Sequence, residues 1–107
     1  MREPTVMWWP GRIPAGSVCR ELAGTIDILP TLAAITGAQL PEHKIDGHNI
    51  LPLLEGRQDA RTPHAAYFYQ SKAVRMGEWK LMQPGGRNNS KRTLLFNLAK
   101  DIAEKHN

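Results

Sequence analysis

The residues predict an α/β fold of the α+β kind: one apolar strand, two short helices, then a small four-stranded antiparallel sheet closed by a C-terminal helical turn. Three observations carry that prediction. An uncharged run from Thr5 to Trp9 is stopped by Pro10-Gly11. Two later segments share one pattern, an Asp or Asn followed by a proline, apolar residues and a closing glycine. From about residue 66 the apolar residues recur in short runs broken by turn residues, as strands require.

The elements follow in order. Thr5 to Trp9 reads as a buried strand, because both of its faces are apolar. Proline then removes a ladder donor and glycine permits a turn. The first helix has Asp27 as N-cap, Pro30 in its first turn and Gly37 just past its end; Asn49, Pro52 and Gly56 repeat the arrangement. Proline is tolerated there because the first amides of a helix have no partner within it. Ile28, Leu32 and Ile35 share one face of the first helix, and Ile50, Leu51, Leu53 and Leu54 supply the second. Both helices are too short to persist unpacked. Residues 57–64 are polar and read as a linker. Strands follow at Ala66–Tyr69, Lys72–Arg75, Trp79–Met82 and Thr93–Leu98, with Gly77 supplying the hairpin turn between the second and third. The expected division is therefore 1–62, strand plus helices, and 63–107, the antiparallel sheet. A lone strand of the buried kind at the start of the chain is expected to find its neighbours in residues outside this sequence.

At 107 residues the chain is one domain at most, or a piece of one. An apolar content of 41% excludes wholesale disorder. No apolar run approaches the roughly 20 residues that a membrane span needs, and Met1-Arg2-Glu3-Pro4 does not read as a signal peptide. The net charge of +4 is unevenly spread: residues 70–107 carry eight basic and three acidic side chains, residues 1–69 six and seven. Such a basic region favours anionic partners or is a solvated face. The single cysteine, Cys19, excludes an internal disulfide and a cysteine-based zinc site.

Few residues offer chemistry. His43, Asp46 and His48 lie in one turn-like segment with the donor types of a zinc site, but Lys44 sits among them and Asp-Gly is ordinary turn composition. Asp27 has the residue type of a general base and the position of a helix cap, and the cap is the reading preferred. Trp8 and Trp9 are apt for stacking on a sugar, or for pointing into two covered layers. Tyr67, Tyr69, Arg75, Lys80, Arg87, Lys91 and Arg92 mix rings with cations, yet no RNA-recognition signature surrounds them. Pro84-Gly85-Gly86 lacks the lysine and helix of a P-loop.

Several weak motifs gain meaning from their order. They are Arg2-Glu3-Pro4 leading to Trp8-Trp9-Pro10-Gly11, Asp27-Ile28-Leu29-Pro30-Thr31, Ile45-Asp46-Gly47, and Leu51-Pro52-Leu53-Leu54-Glu55-Gly56. Ala73-Val74-Arg75-Met76-Gly77-Glu78-Trp79-Lys80 follows, and Leu95-Phe96-Asn97-Leu98 closes the series with Asp101, Glu104 and Asn107. Together they resemble the C-terminal part of a type I sulfatase (arylsulfatase family), over nearly the whole chain. Ile102 departs from it, standing where the family usually has proline.

The resemblance implies the C-terminal end of an alkaline-phosphatase-like sandwich, residues 1–62, followed by the C-terminal sheet subdomain, 63–107. It implies a parent enzyme that hydrolyses sulfate esters with a formylglycine nucleophile and a bound calcium ion. Those family motifs precede the Arg-Glu-Pro segment, so no catalytic residue, metal ligand or cofactor is carried over to this chain. Cys19 does not replace them: Arg20-Glu21-Leu22-Ala23 follows it, not the x-Pro-x-Arg of the family's nucleophile. The loop Gln83 to Arg92 corresponds to the rim of the sulfate pocket, with Arg87 and Lys91 as candidate substrate contacts. The implied partners are the remainder of a sulfatase chain and a sulfate-ester substrate, with neither nucleic acid nor membrane. Members of the family are commonly periplasmic, secreted or lysosomal. The expected function is that of a sulfatase fragment, inactive alone; the alternative is a free-standing basic module that binds a sulfated polysaccharide or another polyanion.

Overall fold

The structure, a computed structural model, describes residues 3–85 and 91–107. It separates into two compact units, Met1–His64 and Ala65–Asn107.

The first unit is built on helices. A 3-10 turn at Thr25–Asp27 runs directly into α1 (Ile28–Thr36), and α2 is a single turn at Leu51–Leu54. Gly37 closes α1 in the left-handed conformation at φ +73°, its amide bonded to the Ala33 carbonyl. Asn49 Oδ1 accepts the Leu51 amide at 2.9 Å, which satisfies one free donor of α2. The two prolines sit in first turns, as expected.

Two expectations fail in this unit. Thr5 to Trp9 forms no strand, and Val6 and Trp8 are 93% and 85% exposed. A strand exists only through a ladder, and the described residues of the unit contain no other strand to pair with it. The apolar face of α1 is also uncovered: Ile28 and Leu32 are exposed, while Asp27, Pro30, Thr31 and Ala33 are buried. The helix thus turns an edge of small residues, Pro30, Thr31 and Ala33, inward and leaves much of its larger aliphatic side to solvent.

The second unit is a four-stranded meander, β1 (Tyr67–Tyr69), β2 (Ala73–Met76), β3 (Trp79–Met82) and β4 (Leu94–Asn97), each antiparallel to the next. A 3-10 turn at Gln70–Lys72 takes Lys72 out of the strand expected there. Gly77, at φ +53°, makes the β2–β3 turn. Register assigns the faces. Ala73, Met82 and Leu94 lie in one cross-strand row, and Lys80 and Phe96 in the next. That side packs with Leu98 into a small core of Met82, Phe96 and Leu98. The opposite side carries Phe68, Val74, Leu81 and Leu95 in one row, with Phe68, Leu81 and Leu95 exposed. The tail forms turns, one of them closed by the Asp101 amide on the Asn97 carbonyl at 2.8 Å, the i→i−4 spacing of a helical turn.

Candidate functional site

Asp27 is the most buried side chain among the described residues, with no solvent exposure. Its carboxylate is saturated. Oδ2 accepts the Gly24 amide and Oδ1 the His48 amide, each at 2.8 Å. His64 Nε2 lies 2.9 Å from both oxygens. The Asp27 carbonyl accepts the Thr31 hydroxyl at 2.6 Å, and Thr31 Oγ1 in turn accepts the Ile50 amide at 3.0 Å. One acidic residue and one threonine therefore tie the start of α1 to the 47–50 segment and to residue 64. Burial is the largest single influence on the Asp27 carboxyl and opposes its ionisation. The His48 amide, the His64 ring and the Gly24 amide together outweigh it and hold the group below the usual carboxylate range.

The backbone makes this cluster possible. A Cβ on Gly47 would lie 1.9 Å from the Ile26 carbonyl oxygen, so only glycine lets the 46–48 segment come close enough for the His48 amide to reach Asp27. His64 is held by its own segment: the Thr62 amide donates to Glu21 at 2.9 Å and the Thr62 hydroxyl to the Leu22 carbonyl at 2.6 Å. The rings of His48 and His64 meet edge to face, centroids 5.0 Å apart.

This corrects three sequence readings. Asp27 begins α1, but its carboxylate does not cap that helix; it binds Gly24, His48 and His64 instead. Residues 57–64 are not merely a polar linker, because His64 is buried. The histidine–aspartate group gathered by the fold is Asp27, His48 and His64, with no part for His43 or Asp46. The separation of 37 residues between Asp27 and His64 left no periodic trace in the sequence.

The rim candidates fare differently. Lys91 is exposed. Arg87 lies outside the described residues. Of the other basic residues in the second unit, Lys80 is buried, its Nζ 2.6 Å from Glu104 and 5.6 Å from the centroid of the Tyr69 ring. Arg75 donates to the Gly77 carbonyl at 3.0 Å. Glu104 neutralises Lys80, Asn107 Oδ1 accepts the Leu95 amide at 2.7 Å, and Asp101 Oδ2 accepts the Lys105 and His106 amides at 2.6 Å each. Asn97 Oδ1 accepts the Ala99 and Lys100 amides. These polar residues fasten the tail to the sheet; no reacting group lies among them.

Short helices followed by an antiparallel meander agree with the fold class expected from the resemblance to a sulfatase C-terminal part. The chain belongs to the sulfatase family: residues 1–107 match the family model described as N-sulphoglucosamine sulphohydrolase, C-terminal. It is 36% identical to human arylsulfatase A over 134 residues, an alignment covering 100% of this chain and 26% of that protein. With bovine arylsulfatase A the identity is 44% over 89 residues, covering 75% of this chain and 17% of the relative. The dog N-acetylgalactosamine-6-sulfatase is 38% identical over 84 residues, covering 75% and 16%. A solved chain labelled BT33336S-sulf, from work on glycosaminoglycan metabolism by Bacteroides thetaiotaomicron, superposes with a TM-score of 0.60 at 25% identity, covering 76% of this chain and 20% of that one. The chain thus spans about a quarter or less of these relatives. No helix among the described residues is long and apolar enough to cross a membrane.

The cofactors that the resemblance implies do not fit the residues described. Calcium takes six to eight oxygen ligands, whereas the converging group here is one carboxylate and two imidazoles. Cys19 is exposed and lacks the sequence that is matured to formylglycine. No catalytic step is derived through either.

Proposed function

We propose that this chain is the structural C-terminal part of a sulfuric ester hydrolase, without turnover of its own. The observation that carries the reading is the uncovered aliphatic side of the first unit. Met7, Trp8, Ile28, Leu32, Ile35 and Leu54 line a groove there, with Trp8 85% exposed. A folded domain rarely leaves so much contiguous apolar surface to water unless another surface covers it. The occupant proposed is the remainder of a sulfatase α/β core, since the segments matched cover only 17% and 26% of these relatives. The parent enzyme's calcium and formylglycine would belong to that remainder.

The loop Gln83 to Arg92 is proposed as the pocket rim, with Arg87 and Lys91 as candidate contacts to the anionic sulfate ester. The polyanion-module alternative is less well supported, because part of the positive charge of the sheet unit is already engaged internally, as Lys80 with Glu104.

Two measurements test the proposal. The chain alone, given an aryl sulfate, is expected to show no hydrolysis above background and to bind a hydrophobic dye. Joined behind a sulfatase segment carrying Cys/Ser-x-Pro-x-Arg, it is expected to lose the dye signal and to hydrolyse the ester. Hydrolysis by the chain alone, or dye binding unchanged in the joined protein, overturns the reading.

A further inference from the structure

We propose that Asp27, His48 and His64 form a binding site for a borderline divalent transition-metal ion such as Zn2+, distinct from the calcium of the parent family. A carboxylate oxygen and one ring nitrogen of each histidine lie within 4.8 Å of one another. Carboxylate plus imidazole is the donor set of zinc, nickel and copper, not of calcium or magnesium.

The details of the carboxylate carry the argument further. Each Asp27 oxygen accepts one backbone amide, from Gly24 or His48, and both oxygens face His64 Nε2 at 2.9 Å. Two ligands about 2.0–2.1 Å from one ion are roughly 2.9 to 3.4 Å apart, from right-angled to tetrahedral geometry. The Asp27–His64 spacing, that of a hydrogen bond, also lies at the short end of the range for two ligands on one metal, so a small shift of the ring would admit the ion. The amides fix the carboxylate as the outer hydrogen bonds of metal ligands do. His48 is exposed and in ring contact with His64, so it supplies the third ligand from the solvent side. In the bound state the ion replaces the hydrogen bond between His64 Nε2 and the carboxylate. Water completes the coordination on the His48 side.

The ion would close a junction between the start of α1, the 47–50 segment and residue 64, so binding stabilises the folded unit by mass action. This inference does not rest on the proposed function.

The test uses the full chain with Co2+ and Zn2+. One equivalent of Co2+ is expected to give visible d–d bands that Zn2+ abolishes, and calorimetry with Zn2+ a 1:1 isotherm. His48→Ala removes an exposed ring but keeps the backbone amide that Asp27 needs; it is expected to weaken Zn2+ binding roughly 10–100-fold or more. His43→Ala is expected to leave binding unchanged. Absent Co2+ bands together with an absent Zn2+ isotherm overturn the proposal, whether or not the chain unfolds cooperatively. Binding undiminished in His48→Ala also overturns it and leaves the Asp27–His64 pair as a hydrogen-bonded clamp alone.

Discussion

Asp27 shows how one side chain can organise a unit that lacks a large apolar core. Its carboxylate has no solvent contact and meets two amides and an imidazole. Removing the partner of a buried charged group leaves that group unpaired, at a cost of several kcal/mol. Asp27→Asn keeps the shape but not the charge, and is expected to lower the unfolding free energy of the chain by about 2–3 kcal/mol in a urea titration. The pH dependence follows from the lowered pKa of Asp27. A carboxyl more acidic when folded than unfolded stabilises fully above its unfolded pKa, and that stabilisation is lost as pH falls through the folded value. The wild-type chain should therefore lose stability below the ordinary carboxylate range, and Asp27→Asn should flatten that acid limb when unfolding midpoints are followed against pH. Gly47 is the second critical residue. An alanine Cβ there would overlap the Ile26 backbone carbonyl, which cannot rotate away. Gly47→Ala is expected to cost about 3 kcal/mol, read from the same titration.

At the scale of elements, the sheet unit is held by its tail as much as by its ladder. Lys80 on β3 is buried and depends on Glu104 for its counter-charge. Glu104→Ala should cost about 3 kcal/mol by stranding that ammonium, whereas replacing both residues with apolar ones of similar size should cost much less. Asn107 reaches back to the Leu95 amide on β4. Asn107→Ala should speed hydrogen exchange at Leu95 by about fivefold, the loss of one hydrogen bond worth roughly 1 kcal/mol, with little change at Leu81. The tail also has an acid sensitivity of its own. The His106 amide chiefly, aided by the Lys105 amide, lowers the pKa of Asp101, so acid should release these turns as the carboxylate protonates. The strands and helices themselves were largely legible in the sequence. Proline and glycine positions marked both helices, and Gly77 marked the hairpin, because these residues constrain the backbone locally.

For the molecule as a whole, uncovered apolar surface is the main finding. The first unit exposes Val6, Trp8, Ile28 and Leu32, and the sheet unit, taken by itself, exposes Phe68, Trp79 and Leu95. The chain alone should therefore self-associate. Trp8→Lys combined with Leu32→Gln should raise the monomer fraction in sedimentation, and should impair assembly with a sulfatase core if the groove is the docking surface proposed. Arg87→Ala with Lys91→Ala, in the joined protein, should lower kcat/KM on a sulfate ester by at least about tenfold, one charge-assisted contact being worth roughly 1.5–3 kcal/mol. An unchanged substrate profile would remove the rim assignment.

The sequence by itself determined the family, the fold class, the capped helices and most of the meander. All of these depend on local backbone chemistry or on motif order along the chain. It also supplied the closing Lys80, Glu104 and Asn107 motif, though not what those residues grip. Only the tertiary structure decided that Asp27 turns away from its helix to bind His64, that α1 buries its small residues and not Ile28 and Leu32, and that Thr5 to Trp9 stays unpaired. The reason is physical. Capping and turns are settled between near neighbours, whereas a buried ion pair or a strand needs a partner brought from far along the chain, and where no partner strand arrives an apolar run remains in water.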